Sequence, residues 1–264
     1  MTVSVAQAER PALRLTRETI ILLGVAALAW AGVIAYARHM GNGVGTMGMS
    51  FVGFMGMWSL MMTAMMLPSV APFAAVYARG FGERRTSRMT AFVAGYLVVW
   101  TAAAFPVYEA ARVAERLDAA HPAGATALAV AVFVACGVYQ LTPLKERCLT
   151  WCRSPLGFAV RYSAYRGRTR DLRVGMHHGG FCLACCWALM ALLLGFGLMN
   201  LAAMAFVAFI VFAERSWPWG PMAGRVVGVV ALALAVAVIV KPGLAPALNG
   251  HTHSMPMTMT KGMS

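Results

Sequence analysis

The sequence predicts an all-α protein, a polytopic transmembrane helix bundle of about seven spans, with six as the alternative count. Three observations predict it. Hydrophobic residues make up 60% of the 264 residues and charged residues only 12%, whereas a soluble domain carries about 25% charge; so few charges cannot cover a water-facing surface. Apolar runs of roughly 18 residues or more, each long enough at about 1.5 Å per residue to cross about 30 Å of hydrocarbon, recur along nearly the whole length. The basic residues sit between those runs, as the positive-inside rule expects of cytoplasmic loops.

The chain reads as a single membrane domain over residues 1–264. A polar start holding Arg10, Arg14 and Arg17 precedes a first span at about 19–37. The length of that start argues for an uncleaved anchor over a signal peptide cut near Ala35, Tyr36 and Ala37. A loop rich in Gly and Met (Gly41 to Met49) leads into a second span at about 51–77, where Pro68 and Pro72 predict a kink or break. Arg79, Arg84, Arg85 and Arg88 mark the inner side, and a third span follows at about 89–108. Beyond it Glu109, Arg112, Glu115, Arg116 and Asp118 nearly cancel, as in an outer loop.

A fourth span at about 124–141 leads to Lys145, Arg147, Arg153, Arg161, Arg166, Arg168, Arg170 and Arg173, the most basic segment and the strongest orientation marker. Phe181 to Ala213 carry no charge over what would be about 50 Å of helix, too long for one upright crossing. That length predicts a helical hairpin turning near Gly195, Gly197 and Asn200, with spans at about 179–197 and 199–213; one strongly tilted helix is the other solution. A last span covers about 225–240, and residues 242–264 form a flexible tail rich in His and Met. The expected location is the inner membrane of a bacterial cell, multi-pass, with a cytoplasmic amino terminus. Seven spans then put the tail outside, and six put it inside.

The net charge of +13 does not point to nucleic acid, because the basic residues form no continuous face and are not interleaved with stacking aromatics. Five of the six cysteines lie beside the basic loop assigned to the reducing cytoplasm, so thiols are expected rather than disulfides. No glycine loop that cradles phosphate, no paired carboxylates within one segment and no serine elbow are present. Hydrolase and nucleotide-driven readings therefore have no support, and enzymatic activity is not the leading expectation.

Soft metal ligands stand out instead. Met57, Met61 and Met65 recur every four residues and share one helix face, with Met55, Met62 and Met66 on the neighbouring face. Thioethers hold Cu(I) or Ag(I) without a charge to desolvate, although methionine also simply fills helix interfaces. Cys148 and Cys152 lie about one turn apart, as do Cys182 and Cys185, with Cys186, His177 and His178 close by. Each pair can chelate one ion from a single helix; inert buried thiols and a redox dithiol are the alternatives. The tail adds His251, His253, Met255, Met257, Met259 and Met263, spaced as in a capture arm or a plain disordered end. Glu214, beside Arg215, Trp217 and Trp219, is expected at the membrane interface.

At these residues the chain resembles a bacterial family of predicted metal-binding integral membrane proteins, a domain of unknown function. MWSLMMTAMMLPSVAP, GVYQLTPLKERCLTWCRSP and HHGGFCLACCWALMALLLGFGLMN carry the resemblance, over most of Met57 to Asn200. It implies membrane location and metal binding, and it leaves the activity and the tail unassigned. The expected function is handling of a soft metal such as copper, in binding, transport or relay, with the lipid bilayer and a metallochaperone or other membrane subunits as partners. A structural or assembly subunit of a membrane complex, and a membrane thiol-disulfide oxidoreductase, remain alternatives on sequence alone.

Overall fold

The computed structural model describes residues 16–39, 46, 48–80, 85–120 and 122–241. Its elements are α1 (Arg17–His39), α2 (Phe51–Ala78), α3 (Arg85–Ala102), α4 (Ala104–Ala120), α5 (Pro122–Gln140), α6 (Pro143–Cys152), α7 (Pro155–Ser163), α8 (Arg170–Phe196), α9 (Leu201–Ser216) and α10 (Gly220–Val240). No strand occurs among the described residues.

By length and hydropathy five helical segments can cross a membrane: 17–38, 51–78, 85–117, 170–196 and 220–240. A sixth candidate is the pair Thr126–Gln140 and Pro143–Cys152, bent by 66°. The difference from about seven lies mainly in α9, whose 16 residues fall short of the roughly 20 that an upright crossing needs.

Local chemistry accounts for the boundaries. Ser50 caps α2 by accepting from the Gly53 amide, and the helix then runs for 28 residues through both Pro68 and Pro72 without ending. The expected break is absent there: both prolines lie inside one unbroken helix, 17 of whose residues are buried, so packing on several sides outweighs two missing hydrogen bonds. The break falls instead at Ala103, between α3 and α4, just ahead of Pro106, a residue type that has no amide hydrogen to donate and whose ring crowds the carbonyl four residues back in a regular helix. Glu109 to Asp118, expected as an outer loop, continue as helix. Glu115 reaches back to accept from the Thr46 hydroxyl at 2.7 Å. Gly197, at φ +95°, ends α8, and Asn200 starts α9 by accepting from the Ala203 amide at 3.0 Å.

One end of the bundle is tied by polar clamps. Arg85 pairs with Glu18 at 2.7 Å. Asp171, at the start of α8, accepts from Arg88 at 3.0 Å and from the Tyr77 hydroxyl at 2.7 Å, so the starts of α1, α3 and α8 and the end of α2 lie together. Asp171→Ala removes the shared acceptor of two side chains and is expected to cost about 1–3 kcal/mol, seen as a lower unfolding midpoint in detergent.

Central α2 packs against α1, α3, α4, α7 and α9. The α3–α8 pair approaches backbone to backbone: a Cβ on Gly95 would strike the Leu172 carbonyl, and one on Gly175 the Phe92 carbonyl. On the outside, Ile20, Ile21, Val25 and Leu28 of α1 and Val226, Val229, Val236 and Ile239 of α10 are exposed. The periphery is thus apolar and the interior carries the polar and sulfur groups.

Candidate functional site

His178, Cys182, Cys185 and Cys186 occupy one face of α8, at helical spacings of four, seven and eight residues from the histidine. All four are buried. The bend after α5 turns α6 so that Cys152 meets this face, and its thiol interacts with that of Cys185. The Cys185 and Cys186 sulfurs lie 3.3 Å apart, and Cys186 interacts in turn with Cys182. Cys182 Sγ is 3.0 Å from the Tyr96 hydroxyl. Two segments far apart in sequence thus bring four thiols into contact, all of them free. Cys148 stands at the edge, half-buried and within electrostatic reach of Cys185.

The two histidines part company. His178 stacks on Phe73 with centroids 4.1 Å apart, and its Nδ1 has no hydrogen-bond partner among the described residues. His177 is on another face, its Nδ1 2.9 Å from the Tyr162 hydroxyl. Among the described residues no three His, Cys, Asp or Glu side chains form a metal-holding group; the cysteines stand thiol against thiol.

Buried charge surrounds them. Arg215, at the end of α9, is buried and donates through Nη1 to Ser69 Oγ at 2.9 Å. Its Nε and Nη2 have no hydrogen-bond partner among the described residues, and Cys182, Cys152, Cys185 and Cys186 are the groups that act on it electrostatically. Lys145 Nζ donates to Glu214 Oε2 at 2.7 Å and to the Cys185 carbonyl at 2.6 Å. Gln140 donates to the other Glu214 oxygen at 2.8 Å.

One expectation is corrected here and another is refined. Lys145 is not a solvated loop charge, and Glu214 is not an exposed partner of the neighbouring tryptophans: they are 2% and 0% exposed and form a buried ion pair. The bend between α5 and α6 folds the start of the basic segment inward, where the carboxylate compensates the ammonium.

Met57, Met61, Met62, Met65 and Met66 are all buried along α2. The four-residue steps of Met57, Met61 and Met65 continue to Ser69, the residue that anchors Arg215. One face of α2 therefore runs from a thioether column to the cation beside the thiols. The His and Met tail, Gly41 to Gly45 and Met47 lie outside the described residues.

Such an arrangement defines an all-helical protein with soft sulfur donors packed in its interior. Residues 55–238 match the PpoB2 family, described as a copper chaperone, and the chain belongs to that family. The match covers α2 from Met55 to nearly the end of α10, so it includes the thioether column, the thiol cluster and both buried cations. No curated protein and no solved structure matches the chain.

Proposed function

We propose that this copper-chaperone family member spans the inner membrane and relays Cu(I) along the α2 methionine column to the thiol cluster. The observation that carries the reading is the meeting of Cys152 with Cys182, Cys185 and Cys186 beside Arg215. Binding Cu(I) to two thiolates displaces two protons and leaves one net negative charge. A guanidinium with two free donors offsets that charge in a medium where an unpaired anion is costly. Two thiolates are enough for a soft monovalent ion, and thioethers bind the same ion less tightly, so transfer from column to cluster runs downhill in affinity.

Membrane placement is supported by the exposed aliphatic faces of α1 and α10. Orientation is supported by the clamped end, which gathers Arg17, Arg85, Arg88 and Arg170, the sign expected of a cytoplasmic face. Counting α5 with α6, and α9, as crossings gives seven passes, with the amino terminus inside and the carboxy terminus outside. Burial of Cys182, Cys185 and Cys186 disfavours thiol-disulfide exchange, which needs an attackable sulfur.

The reading is tested on detergent-purified protein titrated anaerobically with Cu(I) against a chromophoric chelator. Cys152→Ser with Cys185→Ser is expected to weaken binding by about 100-fold, a thiolate pair being lost. Unchanged affinity in that variant and in the four-serine variant of Cys152, Cys182, Cys185 and Cys186 overturns it. A reporter active only outside the membrane, fused after Ser264, is expected to be active; inactivity removes the seventh pass.

A further inference from the structure

At the end of the bundle opposite the polar clamps, Met49, Met57, Met61 and Met199 line one cavity together with Phe54, Trp58 and Leu198. Its volume is about 10 Å³, close to the space of one water-sized sphere. The methionines come from three places: Met49 precedes α2, Met57 and Met61 are its first two column residues, and Met199 lies in the turn between α8 and α9. Met57, Met61 and Met199 are buried, while Met49 is partly exposed and its sulfur accepts from the Tyr36 hydroxyl at 3.1 Å. No carboxylate, imidazole or thiol lines the cavity.

We propose that this cavity is a second, discrete metal site, an all-thioether seat for one bare Cu(I) or Ag(I) ion at the outer end of the methionine column. The inference rests on the relay reading and gives it a loading position that needs Met49 and Met199, two residues outside the column. The chemistry is selective. Thioethers are soft and neutral, so they hold monovalent soft ions and offer little to Zn(II), Mg(II) or Ca(II), which require harder or charged donors. The space admits a single ion and not its hydration shell. Phe54 and Trp58 in the lining add aromatic rings, whose π-systems attract a cation. No proton leaves a thioether on binding, so occupancy of this site persists at acidic pH, where thiol sites release their metal.

The test uses the full chain in detergent with its methionine methyl groups labelled with carbon-13, in the four-serine variant of Cys152, Cys182, Cys185 and Cys186, titrated with Ag(I) at pH 5. Leucine substitutions of similar volume assign each methyl resonance. The expected result is that the Met49, Met57, Met61 and Met199 resonances move together and saturate together, and that Met57→Leu with Met61→Leu abolishes the shifts of Met49 and Met199. Movement confined to other methionines, or shifts of Met49 and Met199 that survive that double variant, overturns the site. Because the four clustered thiols are absent throughout, such a failure is independent of whether that cluster binds Cu(I) in the native chain.

Discussion

Lys145→Met is expected to destabilise the protein by about 3–5 kcal/mol, because it strands the Glu214 carboxylate in the core without its cation. Glu214→Leu is expected to cost a similar amount by stranding the ammonium. The two together are expected to recover most of the loss, since an apolar pair of similar volume avoids desolvating both charges. Glu214→Gln is the milder change: the amide oxygen still accepts from Lys145. Unfolding midpoints of the four variants in one detergent check the series. A double variant no better than the sum of its singles would show that the pair is not the unit of interaction. The pair also bears on the proposed copper site, because Lys145 donates to the Cys185 carbonyl and so fixes the turn carrying Cys182, Cys185 and Cys186. Loss of stability and a loosened thiol cluster are therefore expected to appear together in Lys145→Met.

The second large effect is expected at the α3–α8 contact. A Cβ at Gly175 would lie against the Phe92 carbonyl, and one at Gly95 against the Leu172 carbonyl; the obstruction is backbone, which cannot rotate away as a side chain can. Gly175→Ala alone is expected to force the helices apart and cost several kcal/mol, at the upper end of overpacking effects of about 1–3 kcal/mol or beyond it. Gly180→Ala, at a position with nothing within 4 Å, is expected to be neutral or slightly stabilising through helix propensity. Yield of folded protein and thermal midpoint distinguish the two. If the Gly175 and Gly180 variants behave alike, the close approach is not what holds the pair.

Much of this was legible in the residues. Apolar composition anticipated an all-helical chain, though α6, α7 and the start of α8 lie in the basic segment read as a loop, and the methionines spaced by four residues lie on a buried helix. Charge counting misled where a helix carries its charge inward. Lys145, Leu149 and Cys152 are the buried residues of α6, spaced by four and three, so the ammonium shares a face with the thiol. That spacing was open to view, but a positive residue in a basic segment reads first as solvated.

Glu214 and Arg215 extend the inward stripe of Met204, Val207 and Val211 on α9 in the same way, and the neighbouring tryptophans drew them toward the interface in a reading by composition. The cavity of Met49, Met57, Met61 and Met199 lay beyond sequence reasoning. No periodicity links a residue before α2 with one in the turn after α8; only the packing of α2 against α9 joins them.

The glycine-fastened pair of α3 and α8 constrains the relay proposed above. Two backbones in direct contact leave no lubricating layer of side chains, so neither can slide or roll on the other without tearing the seam. Since α8 bears Cys182, Cys185 and Cys186, these thiols are bolted to the frame. In the proposed relay, cargo would then step from donor to donor through an essentially stationary scaffold, by swinging flexible thioether arms rather than by rocking one half of the molecule against the other.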